Sequence, residues 1–278
     1  MSLIKENPSF SVLISVYKKV NSKYLDEALD SIENQTVKPS EIVLVEDGPI
    51  SNSLKEVILK HQEKFGKNFK DIVSPKNQGL GVALRLGTKY ISTDWVARMD
   101  SDDISVPDRF EKQLNLIKHN PNLAVIGGQV TEFIGDKKNQ IGYRRVPTSN
   151  ELIKQFLKWR SPFNHPTVMI NKKVLDEVGG YIPYGNLEDY YLWSRIIVDG
   201  YDVANIKNQI VFMRVDDGLY SRRGKCSNIK YVYKLRKFLF KKGIISFNEQ
   251  IMGDLIMTIN IIMPSGLRKI IYQRVLHK

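Results

Sequence analysis

Two hydrophobic periods alternate across the first half of this chain, and that alternation limits its possible folds more than any other feature. Phe10–Val16, Glu41–Val45, Phe69–Val73 and Trp95–Met99 are short apolar, β-branched runs. Unbroken runs of this kind mark strands buried on both faces. Between them, Lys23–Asn34 sets Leu25, Ala28, Leu29 and Ile32 on one helical face. Leu54, Val57, Ile58 and Phe65 mark a second helix, and Gly81–Tyr90 a third. Strands that alternate with helices need crossover connections, so the pattern predicts an α/β fold with a mostly parallel sheet. In such sheets ligands bind beyond the carboxyl ends of the strands. Glu46-Asp47 and Asp100-Ser101-Asp102-Asp103 fall at those ends, and they mark the expected active-site edge.

Farther along, Pro107 is expected to open a helix containing Phe110, Leu114 and Ile117. Ala124–Phe133 reads as a strand, Glu151–Trp159 as an amphipathic helix and Thr167–Asn171 as a strand. Gly179-Gly180 ends a short helix, and Glu188–Val198 forms another. Val203–Ile206 and Val211–Val215 read as two further strands. The character changes near Asp216–Gly224, which places a catalytic body at residues 1–215 and an extension at 216–278.

Charge separates these parts more sharply than pattern does. The chain has 278 residues and a net charge of +12, of which residues 222–278 hold +11, so the body is close to neutral. In the extension, Lys230, Lys234, Arg236, Lys237, Lys241 and Lys242 interleave with Tyr231, Tyr233, Leu235, Phe238 and Phe240. Helices of this kind suit an anionic membrane surface. The bland alternative is a helical cap on the body with a solvated basic face. Nucleic-acid binding finds no recognition motif. The single cysteine, Cys226, excludes an intramolecular disulfide framework and a Cys-rich zinc site, and it fits a reducing compartment. No signal-peptide apolar region opens the sequence, and the longest apolar stretch, Ile251–Met263, is interrupted by Asp254 and Asn260. The expected location is cytosolic.

Asp100-Ser101-Asp102-Asp103 carries the most chemistry. Carboxylates two residues apart at a strand end can share one ligand space, and Mg²⁺ or Mn²⁺ prefers such oxygen donors together with substrate phosphates. The bland alternative is an acidic turn capping the helix at Pro107. Asn77-Gln78-Gly79-Leu80-Gly81 precedes a helix, but Leu84 occupies the third glycine position of a dinucleotide fingerprint and Ser74-Pro75-Lys76 separates it from its strand, so no dinucleotide site is expected. Glu188-Asp189 at a helix start supplies either a general base or helix-dipole stabilisation. Asp47 before Gly48-Pro49 is either a ligand contact or an Asx-turn. His165, in a loop, is a metal ligand, an acceptor contact or a structural residue. Trp193 either stacks on a sugar or fills the core. His61, His119 and His277 look incidental, and Cys226 has no partners for nucleophilic chemistry.

Taken in order, Phe10–Val16, Val43-Leu44-Val45-Glu46-Asp47-Gly48, Asn77-Gln78-Gly79, Ala97-Arg98-Met99-Asp100-Ser101-Asp102-Asp103 and Leu187-Glu188-Asp189 resemble a family 2 inverting glycosyltransferase with the GT-A fold, over about residues 9–215. That is a Rossmann-like nucleotide-diphospho-sugar transferase sheet, here followed by a basic helical extension. Within the family the chain is similar to bacterial capsule, exopolysaccharide and O-antigen enzymes. The resemblance implies a UDP-sugar donor, a polyprenyl-diphosphate-linked saccharide acceptor, and Mn²⁺ or Mg²⁺. It implies that Ser15, Val16, Asp47, Arg98, Asp100 and Ser101 contact the nucleotide-sugar. Asp102 and Asp100 would hold the metal, with His165 as a further ligand. Asp103 would be the extra acid of a DxDD subgroup. Asp189 would be the base, with Glu188 as neighbour or substitute. The family often has Asn where this chain has Arg85, which leaves that residue's role open. A sugar nucleotidyltransferase and a non-catalytic nucleotide-sugar binding module are the alternatives.

Overall fold

The side chains of β1 (Phe10–Val16) divide between two cores, and that division builds the molecule. Leu13 packs with Val43 and Val45 on one face, while Val12 and Ile14 pack with Ile42 and Leu44 on the other. Both faces are therefore covered, and the strand can be apolar throughout. The computed structural model describes residues 7–215, 226–264 and 266–267. β2 (Glu41–Glu46), β3 (Phe69–Val73) and β4 (Trp95–Asp100) join β1 in parallel, in the order β3-β2-β1-β4. Helices α1 (Ser22–Glu33) and α2 (Asn52–Phe65) cover one face through Leu25, Leu29, Leu54 and Ile58. Helix α3 (Leu80–Gly87) covers the other through Ala83 and Leu84. The expected parallel half-sheet is present with all four strands.

The second half is mixed. It comprises β5 (Ile104–Ser105), α4 (Arg109–His119), β6 (Leu123–Phe133), β7 (Gln140–Arg144), α5 (Asn150–Leu157), β8 (Met169–Asn171), α6 (Lys172–Glu177), α7 (Glu188–Val198) and β9 (Asp202–Arg214). Among the described residues the sheet has nine strands and continues β4-β8-β6-β9-β5, with β7 paired to β6. β8 runs antiparallel between β4 and β6, and β5 and β7 are antiparallel edge pieces. Neither β5 nor β7 is legible as a strand in the sequence. The two runs expected at Val203–Ile206 and Val211–Val215 are one strand, β9. The exposed Lys207, Asn208 and Gln209 look like a turn, but β9 carries them past register shifts in its ladder with β6. Thr167 lies in a short 3₁₀ turn, His165–Thr167, before β8. Pro107 does not open α4, which starts at Arg109.

The expected boundary near Asp216–Gly224 falls outside the described residues. Beyond it stand α8 (Ile229–Lys241) and α9 (Phe247–Ile262). α8 buries Leu235 and Leu239 in the same core as Leu192, Trp193 and Ile196 of α7. Among the described residues no helix is long and apolar enough to cross a membrane.

Candidate active site

The parallel register brings three strand ends together. Ser15 pairs with Val45 on one side and Asp100 on the other, and Val16 pairs with Glu46. Asp47 follows directly, its amide donating to the Val16 carbonyl at 2.8 Å. Its buried carboxylate accepts the backbone amides of Gln78 at 2.7 Å and Gly79 at 2.9 Å. Asn77 Nδ2 donates to the Asp47 carbonyl at 3.0 Å. Asp47 thus locks the end of β2 to the turn that starts α3. The turn closes only because Gly48 adopts φ +85° and carries no Cβ, which would sit 2.5 Å from the Asn77 nitrogen. The Asx-turn alternative is not formed, since Pro49 has no amide to donate. The neighbouring Glu46 is buried and ion-paired with Lys55.

Asp100 ends β4 and pairs with Arg98 Nη2. Burial and the charge of Asp100 push the Asp102 carboxyl up to about 6. Asp103 is buried, and its Oδ1 accepts the Arg214 amide at 2.8 Å. The Arg214 side chain donates from Nε to the Asp102 carbonyl at 3.0 Å and from Nη2 to Glu27 at 2.6 Å, and it lies 3.6 Å from the centroid of Tyr24. Asp103 and Arg214 therefore fix the acidic run to the last residue of β9. Ser101 is buried beside them. The run does not cap α4, because Asp108 stands at that helix's N-cap.

Arg98 pairs with Asp100 of this cluster, and its charge also favours the ionised form of Glu188 in the second one. It is 1% exposed, and its Nε and Nη1 have no hydrogen-bond partner. Burial opposes its charge, but Asp100, the Tyr181 phenol and Asp103 hold it charged. His165 Nε2 is 3.2 Å from the Tyr181 hydroxyl. Burial, reinforced by the Arg98 charge, holds His165 well below its usual range and therefore neutral. Tyr181 is fully buried, and after burial itself the charges bearing on its phenol are Arg98, Asp189, Glu188 and Asp100. Both acidic centres thus bear on one tyrosine.

The second centre is the first turn of α7. Gly179 and Gly180, at φ +84° and +67°, turn the chain towards it, and Arg195 Nη2 holds the Gly180 carbonyl at 2.7 Å. Glu188 lies against the start of α3, where a Cβ on Gly81 would be 3.4 Å from its Cβ. On the far side Gly185 fits beneath the Tyr231 ring of α8. Asp189 is half-buried, and its Oδ1 accepts the Tyr190 amide at 2.7 Å. Burial and the Asp189 charge push Glu188 up to about 7. Between the ordinary value of 4.5 and about 7 the folded protein holds a proton that the unfolded chain releases, so this group lowers stability as pH rises through that window. Glu188→Gln is expected to melt higher than the parent at about pH 8, by on the order of 2 kcal/mol, and close to it near pH 4. Equal pH slopes for the two proteins would contradict this burial.

Trp193 does not face a sugar subsite. It is fully buried, with its ring 5.2 Å from Phe163 and 6.1 Å from His165. Arg85 is exposed on α3. His61 is not incidental: its Nδ1 is 2.7 Å from Glu33 and its Nε2 2.8 Å from Asp26, stapling α2 to α1. Among the described residues, the only three His, Cys, Asp or Glu side chains with ligand atoms within 4.8 Å of one another are Asp30, Glu33 and His61. Lys64 already bonds both acids of that group. Asp100, Asp102 and His165 are thus not a preformed three-ligand cage, and the Arg98 charge beside His165 opposes a cation there. Asp100 and Asp102 do fit a hard cation. They are oxygen donors two residues apart at a strand end, and burial together with the Asp100 charge opposes ionisation of Asp102, a cost that a bound cation would offset.

The parallel half-sheet joined to a mixed half is the fold of GT-A glycosyltransferases. S. aureus TarS in complex with UDP-GlcNAc superposes with a TM-score of 0.67 at 17% identity, over 91% of this chain and 71% of that one. A mannosyltransferase from Pyrobaculum calidifontis in complex with GDP-Man and Mn²⁺ superposes with a TM-score of 0.64 at 14% identity, over 92% and 70%. The chain belongs to glycosyl transferase family 2, whose sequence profile matches residues 11–179. It is 36% identical to the amylovoran biosynthesis glycosyltransferase AmsE of Erwinia amylovora, over 95% of this chain and 98% of that protein. It is 34% identical to the UDP-Gal:alpha-D-GlcNAc-diphosphoundecaprenol beta-1,3-galactosyltransferase of Escherichia coli, over 98% of both. The protein is a glycosyltransferase, and the nucleotidyltransferase and non-catalytic alternatives fall away.

Proposed function

We propose that the protein transfers a hexose or N-acetylhexosamine from a UDP-sugar to a saccharide carried on a polyprenyl diphosphate, inverting the anomeric centre, in surface-polysaccharide synthesis. The observation that carries this reading is that both acidic centres meet the start of α3: Asp47 holds the Gln78 and Gly79 amides just before it and Glu188 packs on Gly81, while Asp100, paired with Arg98, ends the neighbouring strand. The E. coli relative's name supports the donor nucleotide and the lipid-borne acceptor, and the TarS complex supports a UDP-sugar.

In this reading Ser15, Val16 and Asp47 line the nucleoside side, with Asp47 using the lone pairs its backbone bonds leave over. Asp100, Ser101 and Arg98 face the diphosphate side. A divalent metal such as the Mn²⁺ of the mannosyltransferase complex would be held by Asp102 and Asp100, and when bound it neutralises diphosphate charge. Arg98 adds a second positive charge with two uncommitted nitrogen donors. Asp189 takes the proton of the acceptor hydroxyl as its oxygen bonds the anomeric carbon, and the bond from that carbon to the diphosphate oxygen breaks with its electron pair leaving on UDP. His165, neutral and against Tyr181, positions that tyrosine and stands outside the ligand set. A lipid-borne acceptor requires work at a membrane surface, and the basic extension is the part of the chain suited to it.

Melting the protein against a panel of nucleotide-sugars, with and without Mn²⁺, tests this reading. A UDP-sugar is expected to stabilise it, more strongly with Mn²⁺, and acceptor is expected to trigger UDP release. Stabilisation by GDP- or CMP-sugars alone would contradict the donor.

A further inference from the structure

Helix α9 is built inside out. Beside Met257 and Ile261, its acidic groups face the body of the protein: Arg236 of α8, 1% exposed, donates to the carbonyls of Glu249 and Gln250 and pairs with Asp254 at 3.2 Å. The Glu249 carboxylate takes Lys158 at 2.9 Å. Gly253 leaves room for the guanidinium, since a Cβ there would lie 2.0 Å from Arg236 Cζ. The outer face holds Ile251, Met252, Leu255, Ile256, Ile259 and Ile262, each between 51% and 64% exposed. A surface helix of a globular protein normally shows the opposite arrangement. A contiguous exposed apolar stripe of this kind marks an interaction surface.

Cationic and aromatic groups border the stripe. Tyr233, Lys237, Phe240 and Lys241 share one exposed face of α8. Tyr233 Oη and Thr258 Oγ1 of α9 are 3.4 Å apart, and the Phe240 ring is 6.2 Å from Phe247 at the start of α9. The segment from residue 222 onward carries a net +11. A second copy docked on this face would set its Lys237 and Lys241 against those of the first and repel. An anionic bilayer offers both an apolar layer and negative headgroups.

We propose that the α8–α9 hairpin seats on an anionic membrane surface, with the outer face of α9 in the interfacial layer and Lys237 and Lys241 over lipid phosphates. α9 has 16 residues, so it is about 24 Å long, short of the hydrocarbon core, and it lies along the surface rather than spanning it. This rests on the reading of a lipid-borne acceptor and deepens it by naming the contact surface, which the hairpin's geometry and charge supply. Tyr231 of α8 covers Gly185, in the loop that leads to Glu188, so the same helix that faces the lipid also buttresses the second acidic centre.

The test uses the full chain and vesicles of phosphatidylcholine, with and without phosphatidylglycerol. Co-sedimentation is expected with anionic vesicles and to weaken with salt. Leu255→Asp combined with Ile259→Asp is expected to lower that binding at least tenfold or so with an unchanged melting temperature. Lys237→Glu with Lys241→Glu is expected to lower it and flatten its salt dependence. Failure of the parent to bind anionic vesicles would overturn the proposal, as would a parent dimer in sedimentation equilibrium that the Leu255→Asp, Ile259→Asp variant breaks. UDP release onto a soluble saccharide acceptor reads the transfer reaction separately, because it needs no membrane.

Discussion

Asp189→Asn is expected to lower sugar transfer by roughly 10²–10⁴-fold while leaving UDP affinity within a few-fold of the parent. Asparagine keeps the shape of the side chain, and its Oδ1 can still accept the Tyr190 amide, so α7 should start as before. What is lost is the capacity to take a proton from the attacking hydroxyl, together with the charge that helps to raise Glu188. Glu188 is the obvious substitute, one residue away, but it is buried against Gly81. Its carboxyl is held near 7 by burial and by Asp189. Asp189 is the less buried of the two and the better placed to meet an acceptor. The measurement is UDP released per acceptor added, with donor binding measured separately. Parent-like turnover in Asp189→Asn, with loss in Glu188→Gln, would move the base to Glu188.

Asp102→Asn is expected to act on the other half of the reaction. Asp102 is raised to about 6 by burial and Asp100, so in the unliganded protein it is ionised at neutral pH against opposition. Its stability contribution falls as pH rises from the ordinary 3.8 through about 6, and a bound cation would reverse that penalty. The variant should therefore melt at least as high as the parent without ligand. With Mn²⁺ and UDP present, the parent should rise further and the variant should not. Loss of a group beyond the direct ligands commonly weakens metal affinity 10–100-fold, and loss of a direct ligand should reach at least the upper end, about 100-fold. Metal-dependent stabilisation by UDP that survives in the variant would remove Asp102 from the ligand set. Asp103→Asn separates charge from structure in the same run. Its Oδ1 holds the Arg214 amide, a bond an asparagine can keep.

These expectations depend on features that differ in how readable they are. The parallel half-sheet was legible because its strands are buried on both faces and its helices carry one apolar stripe. The mixed half was only partly so. β5 is two residues long, β7 alternates only the exposed Ile141 and Tyr143, and the polar Lys207-Asn208-Gln209 conceals the continuity of β9. The acids themselves stand where strand ends predict them. Their partners do not show in sequence. Asp47 bonds amides beyond α2 and β3, Asp103 bonds the end of β9, and Arg98 bears electrostatically on Tyr181 and His165, which come from distant loops. Trp193 was ambiguous because a helical aromatic one turn from a site looks alike whether it points to substrate or to core. α9 misleads most. The sequence marks Ile251–Met263 as its longest apolar stretch, but not that the buried Arg236 draws Glu249 and Asp254 inward and leaves much of the apolar face outside.

The central claim is that Asp102 and Asp189 serve opposite ends of one bound nucleotide-sugar. A crystal structure with the intact UDP-sugar and Mn²⁺ tests it most directly. The account predicts the ion on Asp102 and the anomeric carbon turned towards Asp189, with uridine between Ser15 and Asp47. A nucleotide bound instead in the cavity of about 850 Å³ at the opposite sheet edge, lined by Asn150, Asp202 and Asn205, would contradict it.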